Sequence, residues 1–169
     1  MHFHLLVAFA TLVAGVPPAH IPLHGGLNPD VRRPHATSCT MGALVMSFGA
    51  YAPLAANLST PLSATGSVKM VCTFGGAYTL TAGSGANAAH ASGSCAVSAC
   101  TRALAIGTSY VSYDLYTSAA HTTVWNAANG ISAVGDSLIQ TISIFGYIPP
   151  GDANTAGTYT DTVTVTATF

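Results

Sequence analysis

Residues 158–169 read TYTDTVTVTATF and carry the clearest structural pattern in the chain. Threonine fills every even position, and the odd positions are apolar except for Asp161; they are Tyr159, Val163, Val165, Ala167 and Phe169. Successive side chains of a β-strand point to opposite faces of the sheet, so the pattern predicts an apolar row on a core and a threonine row in solvent. A long, regular strand is also a pairing hazard, so we expect either that another strand covers this one or that it is built to receive one.

The sequence from Cys39 to this strand has the pattern of an all-β protein. Short runs rich in Val, Thr, Tyr, Ile and Phe alternate with clusters of Gly, Asn, Ser and Pro, a pattern typical of a sandwich or barrel of short strands. No helix of normal length is predicted. The predicted strands are Ala43–Tyr51, Gly66–Phe74, Ala77–Ala82, Thr101–Ile106, Tyr110–Tyr116, Thr122–Trp125, Leu138–Tyr147 and Thr158–Phe169.

The composition excludes two classes of protein. Half of the 169 residues are hydrophobic, only 5% are charged and the formal net charge is -1, which is the reverse of the composition that disorder requires. The length favours one domain. Binding to nucleic acid needs clustered cations that neutralise phosphates, and the cations here are few and scattered; they are Arg32, Arg33, Lys69 and Arg102. We therefore expect no nucleic-acid partner.

The amino-terminal residues resemble an export signal. The apolar run Leu5–Val16 has 12 residues, against the roughly 20 that a membrane-spanning helix needs. The small residues Val13, Ala14 and Gly15 fit a signal-peptidase site, and a second cut could follow Ala19. We predict a signal peptide over 1–15, secretion, and no stable membrane span after processing.

A proline-rich leader follows over 16–38. It contains five prolines and shows no hydrophobic period of either a strand or a helix. Each proline lacks the backbone N–H that a sheet ladder needs, so this leader is a poor donor of a β-strand. The folded domain is predicted to occupy 39–169.

Four cysteines in an exported chain predict two disulfides, for which three connectivities exist. Sequence spacing favours Cys39–Cys72 and Cys95–Cys100. The competing interpretation is a zinc site, but such sites normally use paired C-x-x-C knuckles, and Cys39 and Cys72 stand alone. We expect no metal site.

Enzymatic chemistry has little support in the sequence. Its five Asp residues are isolated from one another, and no G-x-S-x-G elbow accompanies His90 or His121. We predict no catalytic residues and no cofactor.

Taken together, several motifs resemble the spore coat protein U domain family, which includes the pilus subunits of archaic (Csu-type) chaperone-usher systems. They occur in order and span most of the chain: SCT at 38–40, FGAYAPL at 48–54, VCT at 71–73, YDLYTSAAHTTVW at 113–125, FGYIPP at 145–150 and GTYTDTVTVTATF at 157–169. The first two cysteines of the family match Cys39 and Cys72, which agrees with the pairing favoured above.

The resemblance implies an incomplete immunoglobulin-like β-sandwich that lacks its final strand and is completed by a donor strand. Its implied partners are a periplasmic chaperone, an outer-membrane usher and neighbouring pilus subunits, and its implied location is a fimbrium at the cell surface. The groove that accepts the donor is expected beside the last strand, with Val45 and Phe48 of the first strand across the cleft. Its expected row on the last strand is Val163, Val165, Ala167 and Phe169.

Two functions follow as hypotheses. The first is a structural subunit of a secreted surface fibre or spore-coat-like layer. The alternative is a single-domain secreted adhesin that recognises a surface or a glycan, and an apolar patch on loops at one end of the sandwich would favour it.

Overall fold

The computed structural model describes residues 37–152 and 155–169 in full, and it describes the backbone of two further segments, His2–Leu6 and Ala10–Val13. These parts contain eleven β-strands and one short 3-10 turn, Ala88–His90, so the all-β prediction is confirmed. The strands are β1 (His2–Leu6), β2 (Ala10–Val13), β3 (Cys39–Met41), β4 (Val45–Ala50), β5 (Leu62–Cys72), β6 (Ala77–Ala82), β7 (Arg102–Ile106), β8 (Ser109–Tyr116), β9 (Ile131–Val134), β10 (Gln140–Ile148) and β11 (Val165–Thr168).

The strands form two sheets. The larger sheet has the order β1-β4-β5-β10-β8-β7, with β3 also paired to β5, and the smaller sheet has the order β2-β11-β6-β9. The longest ladder joins β5 and β10, antiparallel, from Met70 opposite Gln140 to Leu62 opposite Ile148. Both sheets send side chains into one hydrophobic core. Burial of this apolar surface is the main favourable term in folding.

Trp125 shows how the two sheets are joined. Its side chain is fully buried, and its indole N–H donates to the carbonyl oxygen of Leu80 in β6 at 3.0 Å. Gly146 in β10 serves the same core, because a β-carbon there would lie 2.5 Å from the ring of Phe48. Only glycine allows the β4 side chains to approach this strand so closely.

Several predicted strands are confirmed and one is wrong. Ala77–Ala82 forms β6 with the predicted bounds. The prediction of a strand at Thr122–Trp125 is wrong: this segment makes a single bridge, from Val124 to Tyr116, because the buried Trp125 fixes it against the core. The strands β1, β2, β3 and β9 were not predicted.

The predicted strand at 158–169 is divided between the two sheets. Thr160 forms a bridge with Ala105 of β7 in the larger sheet, whereas the regular ladder of β11 pairs Val165–Thr168 with β6 in the smaller one. The alternation of faces nevertheless persists through the whole segment, with Tyr159 and Val163 fully buried. The segment therefore passes from one sheet to the other without changing the parity of its side chains.

The predicted signal peptide lies partly, and the predicted leader mostly, outside the described residues. In this part of the chain Met1, 7–9 and 14–36 are not described. Both stay predictions. The described backbone of 2–6 and 10–13 is extended and belongs to the two sheets.

Candidate functional site: the groove between two sheet edges

The apolar row of the last strand faces the core. Val163, Val165 and Ala167 are buried, and Phe169 is partly buried against the same cluster. The threonines between them are exposed or half-buried. The alternation predicted from the sequence is therefore confirmed, whereas a role for these residues in accepting a donor strand stays a prediction.

The other residues of the predicted groove lie on β4. Phe48 is buried, and its ring meets that of Tyr113 edge to face at a centroid distance of 5.9 Å. The prediction that Val45 faces the cleft is wrong, because its side chain is 62% exposed. Strand side chains alternate, so Val45 shares the outer face with Ser47, and Met46 takes the inner position. Met46 was missed because the sequence VMSF allows either parity.

β4 and β11 each pair with a strand of the amino-terminal residues. β1 pairs with β4 in antiparallel orientation, from His2 opposite Ala50 to Leu6 opposite Val45. β2 pairs with β11 in parallel orientation, from Ala10 opposite Val165 to Val13 opposite Thr168. The last strand is therefore covered by another strand, one of the two outcomes expected from its pattern.

A buried carboxylate interrupts the apolar row. Asp161 is 3% exposed and accepts hydrogen bonds from the Tyr113 hydroxyl at 2.8 Å and from the Ala86 amide at 3.0 Å. Asn87 donates to it through its backbone and its side-chain amide. Burial raises the pKa of Asp161 above its ordinary value, although the hydrogen bonds oppose that shift. Burial, with the nearby Asp161 charge, raises the pKa of Tyr113 well above its usual range.

A second buried polar cluster lies on β7 and β8. Asp114 pairs with Arg102, and it also accepts from the backbone and hydroxyl of Thr101 at 3.1 and 2.6 Å. Arg102 also donates to the carbonyl oxygens of Gly83 and Trp125 and to the Thr101 hydroxyl. Burial raises the pKa of Asp114, and the Arg102 charge and the hydrogen bonds oppose the shift. Both clusters include a residue of β8, Tyr113 in the first and Asp114 in the second, and both bond to the loop that follows β6.

The two disulfides agree with the pairing favoured by spacing. Cys39 is bonded to Cys72, its register partner across β3 and β5, and Cys95 is bonded to Cys100. The first disulfide fastens the start of the domain to the larger sheet. The second closes a short turn in the loop between β6 and β7.

Exposed apolar residues lie in the loops after β5 and β9 and at the end of β9; they are called the apolar loop patch and are Phe74, Val134, Leu138 and Ile139. Phe74 is 84% exposed, and Leu138 and Ile139 are each 68% exposed. Two hydrogen bonds join the loops of this patch. The Gly75 amide donates to the carbonyl oxygen of Gly135 at 2.8 Å, and the Phe74 amide donates to the Ser137 hydroxyl at 3.0 Å. The patch is therefore presented on loops with fixed geometry.

Neither a metal centre nor a membrane span emerges from the described residues. Among them, no group of three or more His, Cys, Asp or Glu side chains is placed to hold a metal ion. These residues form no helix that is long and apolar enough to cross a membrane.

Comparisons with known proteins agree with the motifs. A sequence model of the Spore Coat Protein U domain matches residues 28–166. Protein U of Myxococcus xanthus is 32% identical over 170 residues, covering 97% of this chain and 94% of that protein.

Among solved structures, the fold is similar to one chain of the CsuC–CsuE chaperone–tip adhesion subunit pre-assembly complex, from the archaic chaperone-usher Csu pili of Acinetobacter baumannii. The TM-score is 0.50 and the identity 20%, over 79% of this chain. The match spans 40% of the length of that chain. It supports the sandwich fold, and the identity is too low to carry function.

Proposed function

The chain belongs to the Spore Coat Protein U domain family, and on that basis we propose that it is a non-enzymatic structural subunit of a secreted surface fibre or spore-coat-like layer. Subunits of this layer are joined by strand complementation, in which an extended segment of one chain pairs with exposed sheet edges of another. The proposal makes residues 39–169 the acceptor.

The observation that carries this proposal is that β4 and β11 each pair with a strand of the amino-terminal residues, β1 and β2 respectively. Within the 39–169 domain, β4 and β11 are each the outermost strand at one end of a sheet, and their outer partners are the strands His2–Leu6 and Ala10–Val13. A domain without those residues presents two unpaired edges beside the buried row at Val163, Val165 and Ala167. Unpaired N–H and C=O groups on such edges favour the addition of another strand.

The proposed partners follow from the same mechanism. During export, a periplasmic chaperone supplies a strand to the groove, and an outer-membrane usher exchanges it for a segment of a neighbouring subunit. The relative from Acinetobacter baumannii was solved with its chaperone, which supports a chaperone partner for this fold. The final location is the cell surface.

Electrophoresis of surface material tests the proposal. Polymers held by strand addition should give a ladder of bands on a gel in cold detergent and a single band after boiling. The reason is that the paired strands dissociate slowly until the subunits unfold. Val165→Asp, which places a charge on the buried row, should abolish the ladder. Thr168→Asp, on the exposed face of the same strand, should keep it. Secretion of a monomer alone would contradict the proposal.

The apolar loop patch favours a second candidate, a single-domain adhesin. Exposed contiguous apolar surface marks interaction sites in soluble proteins. Phe74→Ser combined with Leu138→Ser should abolish adsorption to an apolar surface, and Val45→Ser, at an exposed valine outside the patch, should not. Equal adsorption of both variants would contradict the adhesin candidate.

A further inference from the structure

The same short segment pairs with both sheets. Residues 2–6 extend the larger sheet beyond β4, and residues 10–13 extend the smaller sheet beyond β11. The three residues between them, with the flanking bonds, reach at most roughly 14 Å when extended. Packed sheets lie about 10 Å apart, so this reach suffices to cross from one sheet edge to the other.

The sequence of this segment meets the requirements of a β-strand. Residues 2–16 contain no proline, so every residue keeps the N–H that a ladder needs. In the leader over 16–38, by contrast, no proline-free stretch exceeds six residues. The residues that predict an export signal are therefore also the best strand-forming residues ahead of Cys39.

We propose that the strands His2–Leu6 and Ala10–Val13 close the groove of the uncleaved chain from within the same molecule. This inference rests on the proposed strand complementation, because it requires a groove that accepts strands. The segment covers both edges, and removal of residues 1–15 by the predicted signal peptidase opens them. Cleavage thereby converts a closed precursor into an acceptor for a strand from another protein.

The register provides a direct test. Thr11 is the Cα partner of Thr166 in the β2–β11 ladder. A chain with Thr11→Cys and Thr166→Cys is produced in an oxidising cytoplasm, where signal peptidase does not act. Peptide mapping should find the two introduced thiols joined within one chain, because register partners lie close enough for a disulfide.

The matched control combines Thr11→Cys with Thr162→Cys. Thr162 is exposed and Thr166 half-buried; Thr162 lies four residues earlier, roughly 13 Å along the strand, beyond disulfide range. A bond that joins two chains would overturn closure within one molecule. Equal cross-linking in both variants, or none in either, would overturn the pairing itself.

A second experiment separates this inference from the proposed function. Thr11→Pro removes an N–H from β2, and Ala19→Pro adds a proline to the proline-rich leader as a control. Thr11→Pro should lower the melting temperature of the uncleaved chain by about 5 °C or more, and Ala19→Pro should not. A peptide with the sequence of residues 2–13 should then restore the Thr11→Pro chain and leave the unmodified chain unchanged.

The outcomes divide clearly. If the unmodified chain responds to the peptide as strongly as the Thr11→Pro chain, the groove exists but its own segment does not close it, and only this inference fails. If neither chain responds, the groove does not accept strands and the proposed function fails as well.

Discussion

Arg102 and Asp114 form an ion pair of 2.9 Å in which both side chains have no exposed surface. They lie on the adjacent strands β7 and β8, where Arg102 is the register partner of Tyr113. A buried charge is costly unless it is paired and its other polar atoms are bonded. Arg102 also donates hydrogen bonds to the carbonyl oxygens of Gly83 and Trp125, so the pair fastens two loops to the larger sheet.

Removal of one member of this pair should be strongly destabilising. Asp114→Ala leaves the buried Arg102 charge without its partner and should reduce the free energy of unfolding by about 3–5 kcal/mol. Asp136→Ala, at an exposed aspartate that caps one loop amide, should cost about 1 kcal/mol or less. Chemical denaturation of both variants measures the difference. Equal decreases in the free energy of unfolding would show that breaking the ion pair costs no more than losing one loop hydrogen bond.

The raised pKa of Asp161 predicts a dependence of stability on pH. A group whose pKa is higher in the folded state binds its proton more tightly there, so its contribution is fully present below the unfolded pKa and is lost as pH rises through the folded pKa. The stability of the wild type relative to Asp161→Asn should therefore increase as pH falls from 7 to 3. Denaturation series on the two proteins measure this difference, in which the titration of other groups cancels. A relative stability that falls with acid would contradict the sign.

The two faces of β11 should respond differently to charge. Val165 is 2% exposed, so Val165→Asp should cost several kcal/mol through burial of an unpaired carboxylate. Thr168→Asp lies on the exposed face and should change the free energy of unfolding by about 0.5 kcal/mol or less. Thermal denaturation distinguishes them, and similar melting temperatures would show that Val165 does not face a closed core.

The disulfides should differ in their contribution. Cys39 and Cys72 are separated by 33 residues, and Cys95 and Cys100 by 5. In the chain-entropy description, replacement of the first pair by alanine should cost roughly 3–4 kcal/mol and replacement of the second about 2 kcal/mol. Unfolding curves of the two double variants test this order, and a larger loss from the Cys95–Cys100 pair would reverse it.

Local sequence pattern alone predicted the features that depend on neighbouring residues. The alternation at 158–169 identified which side chains of the last strand are buried, because the parity of a strand is a local property. Spacing favoured both disulfides, and the ordered motifs indicated the family. Runs of β-branched and aromatic residues located most strands of the 39–169 domain, since these residues favour extended backbone.

Only the tertiary structure determined the features that depend on distant partners. Asp161 interrupts an apolar row in the sequence, and its burial is possible because Ala86, Asn87 and Tyr113 bring donors to it. Val45 and Met46 are both apolar, so the choice of which one faces the core is made by the register of β4 against β5. The pairing of residues 2–13 with both sheet edges likewise has no local signal, because a ladder is defined by two strands and the sequence describes one at a time.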